Sequence, residues 1–77
     1  MEQAKFLTFV NGYGQIRKKD ITAFKSEVLR ELGYTTWTAF YQRKNGRIDL
    51  TVREKEIIER VFAKYGVTEN IWGDDNS

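Results

Sequence analysis

The sequence predicts an all-α fold, a single helical domain over residues 1–72 with four main helices near 3–12, 21–32, 36–45 and 52–65. Three observations predict it. Apolar side chains recur at three- and four-residue intervals through most of the chain, the spacing that gathers them on one helical face. Glycines stand where those runs stop, at Gly33, Gly46 and Gly66, and glycine adopts the left-handed conformation that closes a helix without a side-chain penalty. Side chains able to cap free N–H groups stand where the runs begin.

In the first element Phe6, Phe9 or Val10, and Tyr13 fall at helical spacing. The Asn11-Gly12 dipeptide is a hairpin signal, so a hairpin across residues 5–17 is the alternative. The adjacent apolar pairs Phe6-Leu7 and Phe9-Val10 suit a helix better than a half-buried strand, and the helix is expected to fray near residues 12–14. Residues 15–19 read as a basic linker.

The second helix, capped by Asp20 or Thr22, carries one core stripe of Ile21, Phe24, Val28, Leu29 and Leu32. Ser26, Glu27, Arg30 and Glu31 face water. Thr35 or Thr36 caps a short third helix that Asn45-Gly46 must end. Trp37, Phe40, Tyr41 and Lys44 form its core stripe, with the Lys44 stem laid along it, and Thr38, Gln42 and Arg43 lie opposite. Residues 47–50 are a loop. Thr51 and Glu54 have capping-box spacing and open the fourth helix. Its buried face is Val52, Ile57, Ile58, Val61, Phe62 and Tyr65, and Tyr65-Gly66-Val67 has the form of a Schellman ending. Residues 68–72 add one further turn, with Ile71 and Trp72 as the last core contact or a dimer seam. Residues 73–77 read as a flexible acidic tail.

Composition narrows the function. Seventy-seven residues hold no Cys and no His, which removes disulfides, thiolate metal sites, the commonest zinc ligand and the commonest general base. Aromatics make up 14% of the chain, so large rings are expected to fill a small core. No apolar run reaches membrane-span length, and the first residues do not begin a signal peptide. A soluble, cytoplasmic protein is expected. Gly12-Tyr13-Gly14 lacks the flanking strand and Lys-Ser/Thr of a phosphate loop. Glu54, Glu56 and Glu59 alternate with Lys and Arg as a solvated face does. With no nucleophile–base pair, metal set or cofactor loop, no enzyme, metal or cofactor is expected.

The net charge of +2 conceals a split. Residues 1–47 hold nine Lys/Arg against four acids, and residues 48–77 hold four against seven. A basic front on an acidic back fits a polyanion-binding face.

Residues 32–47 run from a helix end through a Gly turn into a short polar helix with a basic exit, the sequence form of a helix-turn-helix. From Phe24 to Val67 the chain resembles the Cro/repressor-type helix-turn-helix domains of phages and mobile elements. The shared features are Val28-x3-Leu32-Gly33, the Thr-rich turn, Phe40 seven after the Gly, the Asn45-Gly46 stop and the amphipathic helix ending in Tyr65-Gly66-Val67. Three positions depart from that pattern. Leu29 replaces a small residue, the Gly33–Phe40 interval is one longer, and Arg43 or Lys44 stands where an apolar residue is usual.

The resemblance implies a transcriptional regulator that binds double-stranded DNA with the third helix in the major groove. Gln42 and Arg43 are the expected base readers, with Thr36 and Thr38 reaching phosphate or a thymine methyl. Lys44, Arg47, Lys18 and Lys19 are the expected phosphate clamps. One module buries little surface, so a homodimer on half-sites is expected, with Trp72 and the N-terminal aromatics as its apolar surface. The alternative is a helical protein-interaction module anchored by exposed aromatics such as Trp37, Tyr41 or Trp72.

Overall fold

The computed structural model describes residues 6–73. The chain forms α1 (Val10–Tyr13), a 3-10 turn (Lys18–Asp20), α2 (Ile21–Leu32), α3 (Trp37–Lys44) and α4 (Val52–Lys64). The all-α expectation holds, with no strand among the described residues. No helix among them is long and apolar enough to cross a membrane.

The three longer helices end the same way. Gly33, Gly46 and Gly66 take φ of 84°, 75° and 84°. In each case the next residue's N–H turns back to a carbonyl of the last turn: Tyr34 to Leu29, Arg47 to Gln42 and Val67 to Phe62, at 2.9, 2.9 and 3.0 Å. This double closure satisfies carbonyls that a helix end otherwise leaves bare. At the other end of α4, Thr51 Oγ1 accepts the Glu54 N–H while Glu54 accepts the Thr51 N–H, both at 3.1 Å. Asp20 occupies the cap position of α2, but neither it nor Thr22 makes the expected side-chain cap bond; the preceding 3-10 turn leads straight into the helix.

The core is a cluster of rings clasped by aliphatics. Phe24 of α2 meets Phe62 of α4 at 4.5 Å between centroids, and Phe9 stands edge-on to Phe40, Phe62 and Trp72 at 5.6, 5.8 and 5.9 Å. Edge-to-face packing sets each ring's positive rim against its neighbour's negative face. Val28, Leu29, Ile57, Ile58 and Val61 enclose them. Two side chains depart from their expected faces. Val52, expected on the buried face of α4, is 71% exposed. Glu27 does not simply face water but accepts from Lys64 Nζ at 2.6 Å and the Tyr65 hydroxyl at 3.2 Å.

The N-terminal segment corrects both sequence alternatives. Of the helix expected over 3–12, residues 3–5 lie outside the described region and residues 6–9 are not helical. Nor do residues 14–17 pair with them as a hairpin would require. Thr8 instead exchanges backbone hydrogen bonds with Gly73 at 2.7 and 2.8 Å, and its hydroxyl donates to the same carbonyl at 3.2 Å. Phe6 and Phe9 donate to Gly46 and Lys44 carbonyls at the end of α3, and Gly12 donates to Ile71. The backbone donors of this strap are satisfied by distant carbonyls, so a local helix is not needed to pair them. Gly73 is therefore buried and pinned, not the start of a tail, and residues 70–73 run as an irregular segment in place of the further turn. The expected tail over 74–77 lies outside the described residues. Trp72 packs inward, its Nε1–H donating to Glu59 at 2.7 Å, which makes it a core contact in this chain.

Candidate functional site

The most distinctive surface is the outer face of α3. The helix begins at Trp37 because Thr36, with φ −117° and ψ 145°, accepts the Ala39 N–H on its hydroxyl at 3.4 Å. It ends at Gly46, so only two turns exist and each side chain's direction is set by one helical step. At about 100° per residue, Arg43 lies about 60° to one side of Phe40 and Lys44 about 40° to the other. The structure turns the Arg43 side inward. Phe40 is fully buried and Arg43 is 8% exposed.

A polar network explains that rotation. Arg43 Nε donates to Glu54 Oε2 at 3.2 Å, Nη1 to the Ala39 carbonyl at 3.1 Å and Nη2 to the Tyr34 hydroxyl at 2.6 Å. Tyr34 in turn donates to Glu54 Oε2 at 3.1 Å, and its ring lies 4.1 Å beneath the guanidinium. Burial pushes the Glu54 carboxyl up, but hydrogen bonds from the Thr51 backbone, Tyr34 and Arg43 outweigh it and leave the group below the usual carboxylate range. A buried guanidinium is tolerable when its donors are matched in this way. The side of α3 occupied by Arg43 is thus the core side, which corrects the expectation that it lies opposite Phe40 on the exposed face with Thr38 and Gln42. The resemblance puts an apolar residue near this point; here a paired charge fills the place.

The same rotation brings Trp37 and Tyr41 out of the expected core stripe, to 45% and 36% exposed. Lys25 of α2 covers them. Its Nζ lies 4.9 Å from the Trp37 ring centre and 5.4 Å from that of Tyr41, and donates to the Tyr41 hydroxyl at 3.0 Å. Lys44 Nζ lies 4.6 Å over the Tyr13 ring and 5.0 Å from the Tyr41 ring. The hydrogen bond from Lys25 lowers the Tyr41 phenol below its ordinary value against the effect of burial, with the charges of Lys25 and Lys44 assisting. The same hydrogen bond raises Lys25.

Beside this cluster, Trp37, Thr38, Tyr41, Gln42, Asn45 and Arg47 line a shallow concavity of ≈ 270 Å³. Of the residues expected to contact DNA, Thr38, Gln42 and Arg47 therefore meet in one place. Lys44 joins them through Tyr41. Thr36 is exposed at the helix start with its oxygen engaged as a cap. Lys18 and Lys19 are exposed on the 3-10 turn ahead of α2 and do not line the concavity. Arg43 is withdrawn from the surface.

Sequence reading missed Lys25 and Asn45 as members of this face, and had Trp37 and Tyr41 exposed only in the protein-interaction alternative, placing them otherwise in the core stripe. The available signal was Glu54, whose capping-box position also offers a carboxylate to any cation arriving from α3. An arginine claimed by that carboxylate rotates the helix and exposes the next stripe. Compared with protein-family models, curated proteins and solved structures, the chain matches none.

Proposed function

We propose that the chain binds double-stranded DNA as a small transcriptional regulator, with α2 and α3 acting as a helix-turn-helix and the outer face of α3 entering the major groove. One observation carries this reading. The concavity sets Thr38, Gln42 and Asn45 beside Arg47, with Lys25 and Lys44 flanking the adjoining Tyr41, and α3 contains no acid. Amides can meet adenine bidentately, a hydroxyl or methyl can meet thymine, and flanking cations meet phosphate. Arg43 takes no part in base contact. Its role is to hold α3 against α4 so that Gln42 is presented outward.

A two-turn helix reads few base pairs, so specific affinity calls for two copies on half-sites about 34 Å apart. Trp72 is packed inward and leaves Phe6, at 37% exposed, as the N-terminal aromatic available to such a dimer.

Exposed Trp37 and Tyr41 favour a second reading, a protein-interaction module. Their ring faces, however, carry the Lys25 and Lys44 ammonium groups, which an apolar partner would have to bury or displace at a cost. The test is a titration with random-sequence duplexes at low salt, followed by amide shifts. Residues 35–47 should move, and the complex should weaken steeply as salt rises. Motionless amides in this stretch with duplex in excess would overturn the DNA reading, and a partner held with little salt dependence would replace it.

A further inference from the structure

Lys25 of α2 and Lys44 of α3 both bring their ammonium groups to Tyr41, Lys25 to its hydroxyl at 3.0 Å and Lys44 to within 5.0 Å of its ring centre. The Tyr41 oxygen accepts from Lys25, so its own O–H remains to be donated outward. Lys25 uses one of its three N–H groups on that oxygen. Lys44 is held over Tyr13 and Tyr41 by cation–π attraction. Neither ammonium pairs with a described carboxylate. The cluster therefore presents N–H and O–H donors from two cations and a phenol, with no acceptor of its own left to satisfy. Lysines on solvent-exposed surfaces normally lose rotamer freedom when they bind. Here both are already oriented by rings, and the Lys25–Tyr41 bond keeps the phenol proton turned away from Lys25.

We propose that Lys25, Tyr41 and Lys44 form a preorganised phosphate-ester site, which in the DNA complex seats one backbone phosphate next to the bases reached by Gln42. One non-bridging oxygen takes the Tyr41 O–H and a Lys25 N–H, and the other takes Lys44. The placement rests on the DNA reading above, but the donor set does not. Because Trp37 and Tyr41 carry ammonium groups on their faces, the patch recognises an anion rather than an apolar side chain. A phosphate diester supplies two acceptors and a charge that both lysines share. The concavity, which Tyr41 also lines, then receives the base edge that follows this phosphate.

The experiment uses inorganic phosphate, acetate and a DNA duplex as separate probes on the whole chain. Phosphate at constant ionic strength should shift the Tyr41 ring and the Lys25 and Lys44 ammonium signals at lower concentration than acetate does. It should also move the ionisation of Tyr41, followed by near-ultraviolet absorbance, to higher pH, since the anion would face the phenolate. Tyr41→Phe keeps the ring and should weaken the phosphate response several-fold. Lys25→Gln and Lys44→Gln should each lower the duplex salt slope by about one unit, the loss of one phosphate contact. No phosphate response in the unaltered chain, or an equal response to acetate, overturns the site. Duplex binding with unchanged salt slopes in both lysine variants also overturns it and leaves the DNA reading standing. A phosphate response without any duplex binding removes the DNA reading and retains the site for a free or differently esterified phosphate.

Discussion

Arg43 Nε meets Glu54 Oε2 at 3.2 Å, while Oε1 of the same carboxylate accepts the Thr51 N–H that opens α4. One acidic side chain therefore starts a helix and orients its neighbour. Arg43→Met nearly keeps the side-chain volume but leaves Oε2 of the carboxylate with Tyr34 alone. Breaking a buried pair from one side costs about 3–5 kcal/mol. Glu54 keeps 15% of its side-chain surface in water, so a loss of about 2–4 kcal/mol is expected. Glu54→Gln preserves the capping-box geometry and removes the charge. The double variant Arg43→Met with Glu54→Gln should recover most of the loss, as measured by urea denaturation of all four combinations.

Acid should weaken the fold through the same carboxylate and through Glu27. Hydrogen bonding from Lys64 holds Glu27 below the usual range against burial, and Glu54 is held below it by three hydrogen bonds despite burial. A carboxyl with a depressed folded-state value adds stability that is fully present above its unfolded value of about 4.3 and lost as pH falls through the folded value. The urea midpoint should be nearly flat from about pH 7 to 5 and decline below about pH 4.3. Glu27→Gln should begin less stable and decline less steeply. Parallel curves for the two proteins would show that Glu27 is not linked to folding.

These two carboxylates also mark where sequence stops being sufficient. The α2 stripe, the three glycine stops and the Thr51–Glu54 box were legible because each depends on residues within a turn of one another. The face of α3 was not. Trp37 and Tyr41 are amphipathic and suit either side, and the choice was made by Glu54, eleven residues beyond Arg43. The N-terminal strap was less legible still, since Thr8 finds its partner 65 residues away. Periodicity cannot report a backbone pairing of that span.

The rotation of α3 can be tested with two aromatics three residues apart. Phe40 is fully buried against Phe9, Tyr13 and Phe24, with centroids 5.6, 5.9 and 6.4 Å away. Phe40→Ala should cost about 3–5 kcal/mol, a large share of the roughly 4–12 kcal/mol that a chain this size holds. Trp37 is nearly half exposed, so Trp37→Ala should cost about 1 kcal/mol or less. Thermal midpoints of the two variants should differ by more than about 10 °C. Equal losses would place Trp37 in the core and reverse the orientation.

Gly12 and Gly14 stand two apart and should respond with opposite signs to alanine. A Cβ on Gly12 would meet Phe62 Cζ at 2.9 Å and the Ile71 backbone at 3.1 Å. Both are packed, so overpacking should destabilise by about 1–3 kcal/mol. Gly14 has φ −65° and only ordinary contacts at 3.5 and 3.7 Å. Gly14→Ala should stabilise by about 0.4–1 kcal/mol by restricting the unfolded chain. Denaturation midpoints moving in the same direction would mean that the strap does not seat Gly12 against Ile71.

Base reading and phosphate clamping separate by their response to sequence and to salt. Gln42→Ala should cost about 1–3 kcal/mol on the preferred duplex and flatten the choice of base at one position. Its salt slope should stay unchanged, because no charge is lost. Lys18→Ala and Lys19→Ala should weaken every duplex alike and reduce the slope by about one unit each. Arg43 supplies the control. In the Arg43→Met, Glu54→Gln background the fold is kept and the guanidinium is gone, so the base preference should match that of the unaltered chain. The measurement is binding to a randomised duplex pool at two salt concentrations for each variant. If the Arg43 pair changes base preference while Gln42→Ala does not, the inward assignment of Arg43 is wrong, and the face of α3 that meets DNA is the one now placed against α4.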